Sequence, residues 1–422
     1  MIEKYYSGII EQIYNRIGKE TRNIVMANYS NDFSIENLEV IRRYQSNEDN
    51  VFFAYSEFSY NTLVGAYEPF LDIICNMHRR FIGGSFDDFQ KECGVYYLHR
   101  QVLNSYYETG ECFREETVLL NEVAYEQRRM TMAIADMLKK LSEVKPLMIV
   151  INRFQMASKS SIETIKYLID NPCANIGIVL GVNAIVKGTD STVEVWDRIV
   201  ESLEDRSAIY YIGSAGPLKN NVKTTNDDEL YITMNFEQSI QEASNIMEFL
   251  DFEQARRGCR IIEHKLKFED AWIDEKSLRR FYMVYARTSV LLGEMSKAIE
   301  LTNEYKALIP ENDSEHYLSL YYFMKGTCYM YQGKLEKAGN SAKSAYDYAV
   351  LAEDDTLIFK AELLSVMIKM SGWYNIFFCV QDIPVSDEII EKLIKHGYRN
   401  HLAHIYIYAY DNSRDVVKQS FY

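Results

Sequence analysis

The segment ANYSNDFS, from Ala27 to Ser34, has the length and position of a phosphate-binding loop but not its residues. Laid on the pattern G-x-x-x-x-G-K-[ST], it places Ala27 and Asp32 at the glycines, Phe33 at the lysine and Ser34 at the hydroxyl position. Such a loop binds phosphate through backbone N–H groups that glycine leaves accessible, and through the lysine ammonium. Here a carboxylate and a phenyl ring replace those donors. We therefore expect this loop to repel a triphosphate.

The residues on either side of the loop are patterned as a strand and a helix. Residues 23–27 form a short apolar run typical of a buried strand, and residues 35–44 carry apolar side chains at helical spacing. No glycine or lysine occurs between Lys19 and Gly65, so a shifted alignment does not restore the missing donors. The sequence predicts a strand–loop–helix unit without phosphate-binding residues.

Further strand patterns alternate with helical patterns over the first half of the chain. The run LMIVI is typical of a strand that is buried on both faces of a parallel sheet. The alternation predicts an α/β parallel sheet across residues 20–215. Helices are predicted at 2–17, 67–81 and 115–142, and strands at 51–55, 147–151, 176–180 and 209–212.

The segment NRFQMAS, which follows the run LMIVI, resembles the second nucleotide motif of the STAND class of signalling ATPases. In that class a hydrophobic strand ends in two acids, which hold Mg²⁺ through water and polarise the attacking water. Asn152 and Arg153 fall on these acids, but an amide is a weak Mg²⁺ ligand and a guanidinium cannot act as a base. The resemblance implies a degenerate P-loop NTPase-like domain over residues 1–215. The rest of the motif falls in order on Phe154, Gln155, Met156, Ala157 and Ser158.

Two other interpretations of this half stay open. The domain could be an unrelated α/β domain whose strand ends mimic both motifs. Alternatively, nucleotide could bind through unorthodox contacts, with Arg42, Arg43 or Arg153 as phosphate partners. The second interpretation would make the protein an ATP-binding switch.

The second half of the chain, after a linker at 216–235, is patterned as helical pairs. Gly293, Gly333 and Gly372 recur with a period of about 40 residues, which is typical of stacked helical repeats. Residues 319–350 resemble the tetratricopeptide repeat in the positions of their small and aromatic residues. The resemblance implies an all-α solenoid over residues 236–422, of the kind that binds partners on a concave face.

The groove positions of the tetratricopeptide family, carried over to this chain, predict the partner-binding residues. Arginines at one end and an aromatic, methionine-lined wall suit an extended or helical peptide with acidic groups. Many of the apolar residues in this set could instead pack between repeats. The set comprises Arg280, Met283, Arg287, Phe323, Thr327, Met330, Tyr331, Glu362 and Lys369.

The composition argues against a nucleic-acid-binding protein, a membrane-spanning protein and a metal-binding protein. A net charge of −15 argues against a nucleic-acid-binding surface and favours basic partners or small ligands. No run of 18 apolar residues occurs, so we expect no membrane span. The seven cysteines are scattered without a CxxC pair, as in reduced cytosolic proteins. His396, His401 and His404 lack a completing Cys or acid, so we expect no metal site there.

Taken together, these patterns predict a cytoplasmic, bacterial, non-catalytic signalling scaffold without a cofactor. Its solenoid would bind a protein or peptide, and its ATPase-like domain would not bind nucleotide. The chain also resembles the sensory half of larger bacterial signalling proteins, in which an output domain such as a diguanylate cyclase follows the repeats.

Overall fold

The computed structural model describes most of the chain, in two compact units. The first unit comprises Met1–Arg114 and Asn121–Ala271, and the second comprises Glu115–Leu120 and Trp272–Tyr422. Asp32, Phe33 and Ser34 lie outside the described residues, as does nearly all of the predicted linker. The described residues are 2–29, 38–46, 50–59, 63–114, 116, 118, 120–183, 190–213, 235–268, 273–312, 314–374 and 386–412.

Five parallel strands form the sheet of the first unit, and all five strands predicted from the sequence are confirmed. Their order across the sheet is β2-β3-β4-β1-β5, so that β1 lies between two strands that follow it in the chain. The first unit therefore contains an α/β parallel sheet. The strands are β1 (Ile24–Tyr29), β2 (Phe52–Glu57), β3 (Leu147–Asn152), β4 (Ile176–Asn183) and β5 (Ile209–Ile212).

Burial along the strands follows their place in the sheet. Every residue of β3 and β4 is buried, as expected for central strands covered on both faces, whereas β2 and β5 at the edges are partly exposed. A Cβ on Gly181 of β4 would lie 2.6 Å from Tyr6 Oη, and one on Gly177 would lie 3.0 Å from Ile13 Cγ2. These two glycines let the N-terminal helix approach the sheet.

Ten helices accompany the sheet in the described part of the first unit. The helix predicted at 115–142 begins only at Val123, after a short 3₁₀ turn at Leu120–Glu122. The helices are α1 (Ile2–Tyr14), α2 (Glu39–Ser46), α3 (Phe70–Met77), α4 (Phe86–Glu92), α5 (Tyr97–Thr109), α6 (Val123–Val144), α7 (Lys159–Asp170), α8 (Asp190–Glu204), α9 (Phe236–Glu248) and α10 (Phe252–Phe268).

Helices α9 and α10 belong to the first unit, although the sequence patterns grouped residues 236–268 with the repeats. Asp251, between these helices, is buried and accepts hydrogen bonds from two helix N-termini. The backbone N–H of Ser160 in α7 donates to its Oδ2 at 3.0 Å, and that of Gln254 in α10 donates to its Oδ1 at 3.4 Å. One carboxylate thus joins α10 to the helix that follows β3.

All regular secondary structure among the described residues of the second unit is helical. Successive helices from α11 to α15 pack on one another, and α13 also contacts both α11 and α15, as stacked helical hairpins do. No described helix of the chain is both long and apolar enough to span a bilayer. The helices are α11 (Glu275–Leu291), α12 (Met295–Ala307), α13 (Ser314–Tyr331), α14 (Leu335–Leu351), α15 (Asp355–Tyr374), α16 (Asp387–Lys395) and α17 (Arg399–Asn412).

Two of the three periodic glycines lie in turns between these helices. Gly293 and Gly333 adopt left-handed backbone conformations, with φ of +78° and +71°, where the chain leaves α11 and α13. Gly372 lies inside α15 instead, because that helix continues for a further turn. The glycine period of about 40 residues therefore coincides with a turn between helices at Gly293 and Gly333, but not at Gly372.

Candidate functional site

The carboxyl ends of β1 and β3 meet at the edge of the sheet where ligands of open α/β sheets bind. β4 separates the two strands, yet the Tyr29 Oη–H donates to Asn152 Oδ1 at 2.6 Å, and both residues are fully buried. Ala27 lies within β1, paired with Gly181 and Tyr210, and so belongs to the strand. Asn152, which the STAND resemblance placed at the first acid, is held by a tyrosine.

Arg153 occupies the next position and forms an ion pair with a glutamate of the neighbouring strand. Its Nη1 lies 2.9 Å from Glu57 Oε1, and the same nitrogen donates to the carbonyl of Phe58 at 3.3 Å. The Tyr55 hydroxyl donates to Glu57 Oε2, so both oxygens of this carboxylate have protein partners. Arg153 itself has a positive φ of +54°, which is uncommon for a long side chain and marks a position that its surroundings hold in place.

Two further side chains of the degenerate motif, Gln155 and Ser158, form hydrogen bonds with backbone N–H groups near the ends of β3 and β4. Gln155 is buried, and its Oε1 accepts a hydrogen bond from the backbone N–H of Asn183 at 3.3 Å. Ser158, on the position of the motif's final aspartate, is the N-cap of α7 and accepts from the N–H of Ser161 at 3.4 Å. These side chains bind the protein's own backbone.

A second buried tyrosine approaches this edge from α1. The Tyr6 hydroxyl lies close to Asn152, since a Cβ on Gly181 would touch both Tyr6 Oη at 2.6 Å and Asn152 Oδ1 at 2.9 Å. Burial, with added repulsion from Tyr29, Tyr55 and Glu57, raises the pKa of Tyr6 well above its ordinary value. The Tyr6 phenol therefore stays protonated at neutral pH. We call Tyr29, Tyr55, Glu57, Asn152 and Arg153 the edge network.

Sequence reasoning found two members of the edge network and missed three. Asn152 and Arg153 were predicted from the motif. Glu57 ends β2 and is the register partner of Asn152, so the rule that parallel strands end at one edge could have placed it there. Tyr29 and Tyr55 carry no such signal, because aromatic residues are common in strands for packing reasons alone.

The residues predicted to bind a partner divide into packed and accessible groups. Met330 is only 8% exposed and belongs to an apolar cluster with Ala338, Ala342, Leu364 and Ile368, so it packs between helices. Arg280 and Lys369 are exposed. The remaining members of the set are half-buried: Met283, Arg287, Phe323, Thr327, Tyr331 and Glu362.

Several half-buried members of this set already have intramolecular partners. Glu362 Oε2 accepts from Lys392 Nζ of α16 at 2.6 Å, and Thr327 Oγ1 donates to the carbonyl of Phe323 at 3.0 Å. Tyr331 Oη accepts from the N–H of Leu120 at 3.3 Å. The exposed cationic members of the predicted set are Arg280 of α11 and Lys369 of α15.

The histidines near the end of the chain make packing contacts. His401 is buried, and its Nδ1 lies 2.7 Å from Glu116 Oε1, which also accepts from the His401 backbone N–H at 2.9 Å. His396 stacks on Phe359 with ring centroids 4.6 Å apart. Within the described residues, no group of three or more His, Cys, Asp or Glu side chains could hold a metal ion.

Comparison with protein-family models and with curated proteins finds no match for this chain. Its function must therefore be inferred from the geometry of its own residues.

Proposed function

We propose that the protein is a non-catalytic signalling scaffold of the bacterial cytoplasm. Its first part is a degenerate P-loop NTPase-like domain of the STAND type that does not use nucleotide, and its helical hairpins are tetratricopeptide-like and bind a protein or peptide. The edge network carries the first half of this proposal. Where a nucleotide enzyme needs carboxylates open to Mg²⁺ and water, Asn152 is bonded to Tyr29 and Arg153 to Glu57.

The strand order supports the same view. β1 is flanked by β4 and β5, and the chain leaves β1 for the far edge of the sheet, which creates a switch point at the carboxyl end of β1. A P-loop-like domain would bind phosphate there. Among the described residues at this edge, Asn152 is bonded to Tyr29 and Arg153 is paired with Glu57, so these polar groups already have protein partners.

Thermal unfolding with and without Mg-ATP tests this half of the proposal. A ligand at 100 times its Kd stabilises a protein by about 2.7 kcal/mol, which is a Tm shift on the order of 5 to 10 °C for a unit of this size. We expect no shift at millimolar Mg-ATP. A shift that Arg153→Ala or Ser34→Ala abolishes would instead support an ATP-binding switch.

The stacked helices support the second half of the proposal. Repeats of this kind present one helix of each hairpin on a shared face, and here α11 and α15 place Arg280 and Lys369 in solvent. Exposed cationic side chains, together with the half-buried Phe323 and Met283, suit a peptide with acidic and apolar residues. Such binding would be transient and would not require nucleotide.

Affinity purification of the full chain from its native cell, with quantitative mass spectrometry, tests partner binding. We expect Arg280→Glu combined with Arg287→Glu to deplete the specific partners. Lys343→Glu combined with Lys395→Glu is the matched control, because these exposed lysines lie on α14 and α16, outside the predicted set. Equal recovery of partners by both double variants would exclude the proposed groove.

A further inference from the structure

A cavity of about 240 Å³ lies in the first unit between α3, α5 and α9, apart from the edge network. Its lining combines acidic side chains with aromatic and aliphatic ones. Tyr106 and Phe249 form part of the wall, with their rings edge to face and their centroids 5.5 Å apart. The lining comprises Leu63, Gly65, Ala66, Glu68, Leu71, Asp72, Tyr106, Glu242, Asn245 and Phe249.

The carboxylates of Glu68 and Glu242 both lie close to the backbone of Gly65 in this cavity. The Gly65 N–H donates to Glu68 Oε2 at 2.9 Å. A Cβ on Gly65 would lie 2.9 Å from Glu242 Oε1 and 3.4 Å from Glu68 Oε2, so both oxygens flank one position beside the glycine. Asp72 adds a third carboxylate, whose Oδ1 accepts from the Tyr106 hydroxyl at 3.0 Å. A side chain at residue 65 would require the Glu242 carboxylate to move.

Within the described residues, no lysine, arginine or histidine pairs with these three acids. Glu68 and Glu242 are half-buried, and burial together with repulsion from Glu68 and Asp72 raises the pKa of Glu242 to about 7. Burial likewise raises the pKa of Glu68. Clustered acids that lack a counter-charge lower the stability of a fold, which is a common feature of ligand sites.

The other residues of the lining favour an organic cation over a metal ion. Within the described residues these acids do not form a group that could hold a metal ion. Apolar walls from Leu63, Leu71 and Phe249 suit methylene groups, which a hydrated metal ion does not have. The cavity thus offers carboxylates for ammonium groups and an apolar surface for the chain that joins them.

A second cavity limits the length of the ligand. It has a volume of about 430 Å³ and shares Glu68 and Asp72 with the first. Arg80 also lines it, with its guanidinium 5.5 Å from the centre of the Phe52 ring, and this positive charge opposes a further ammonium group there. A short dication is therefore favoured over a long polyamine.

We propose that the cavity between α3, α5 and α9 is a binding site for a short aliphatic diamine. Its ammonium groups bind the carboxylates of Glu68, Glu242 and Asp72, and its methylenes lie against Tyr106 and Phe249. This site is independent of the scaffold function and of the groove in the second unit.

Titration calorimetry of the full chain with 1,4-diaminobutane at constant ionic strength tests the proposal. We expect saturable binding at one site at pH 8. Glu242→Gln and Glu68→Gln should each weaken it by about thirtyfold or more, since each removes one member of a partly buried charge pair. Glu143→Gln changes the net charge equally at an exposed position outside the cavity and should leave the affinity unchanged.

The pH dependence of the diamine affinity distinguishes direct binding by Glu242 from a purely structural role of this residue. Because Glu242 must be ionised to bind an ammonium group, the affinity should fall by about tenfold between pH 8 and pH 6. Glu242→Gln should remove most of that dependence. The proposal is wrong if binding does not saturate, if Glu143→Gln weakens it as much as the cavity variants, or if Mg²⁺ competes as well as the diamine.

Discussion

Asn152 shows how a position that could ligate a metal can become part of the packing of a sheet edge. It is fully buried, and its Oδ1 accepts a 2.6 Å hydrogen bond from Tyr29 on a strand that it does not neighbour. Buried polar atoms of this kind are costly unless they are bonded. The amide therefore contributes to stability through its buried hydrogen bond to Tyr29.

Removing the phenol at this edge should destabilise the first unit. Tyr29→Phe takes one donor away from buried Asn152, and we expect a loss of about 1 to 3 kcal/mol in the free energy of unfolding. Urea denaturation followed by circular dichroism measures it. Tyr210→Phe is the control, because its hydroxyl bonds Gln12 at an exposed site and should change stability by less than about 0.5 kcal/mol.

The ionised Glu242 carboxylate should lower the free energy of unfolding at high pH, and the Glu242→Gln variant should reveal this effect. Its pKa is raised from 4.5 to about 7 in the folded protein, so the folded state holds the proton more tightly than the unfolded state. Stability is therefore lost as the pH rises from about 4.5 to 7. We expect Glu242→Gln to gain about 1 to 3 kcal/mol at pH 8 and little at pH 4.5. A gain of the same size at both pH values would contradict this assignment.

The two sites differ in how far the sequence could reveal them. Asn152 and Arg153 follow a recognisable strand, so their place at the sheet edge was predictable from a local pattern. The diamine cavity joins Glu68, Tyr106 and Glu242, which lie on segments far apart in the chain. No local pattern brings those segments together, because only the packing of α3, α5 and α9 does so.

At the scale of elements, apolar runs were sufficient to predict every described strand of the sheet. β3 and β4 are buried along their whole length, and this produces the continuous apolar runs that the sequence shows. Helix boundaries were less predictable. Glu116 lies in a segment that was predicted as helix, but it is not helical and bonds His401 of the second unit instead. Tertiary contacts outweighed helical spacing in that segment.

A pair of glycines offers a test of how closely α1 packs on the sheet. In Gly181→Ala the new Cβ would meet Tyr6 Oη at 2.6 Å and Asn152 Oδ1 at 2.9 Å, so we expect a loss of about 1 to 3 kcal/mol. Gly8 lies in α1 with nothing within 4 Å of its Cβ position. Gly8→Ala should therefore gain about 0.5 to 1 kcal/mol. Thermal melts of both variants would refute this packing if the two shifted Tm in the same direction.

At the scale of the whole molecule, each unit has its own apolar core. The first contains a cluster of residues from α1, α2 and the sheet, and the second contains the cluster around Met330 and one further cluster formed by residues of α15 to α17. We expect Gly181→Ala to speed hydrogen exchange at amides of the sheet and to leave amides of α13 and α14 unchanged. Exchange followed by mass spectrometry measures both sets. Equal acceleration in both would indicate a single cooperative unit.

The contact between Glu116 and His401 also has a consequence for synthesis on the ribosome. The two residues are separated by 285 positions, and both are buried in the second unit. At the usual rate of translation, roughly 15 to 60 s pass between the emergence of the carboxylate and that of its imidazole. The ribosome therefore synthesises the rest of the first unit before Glu116 can meet His401. Neither half of the gene, expressed alone, would encode both members of this pair.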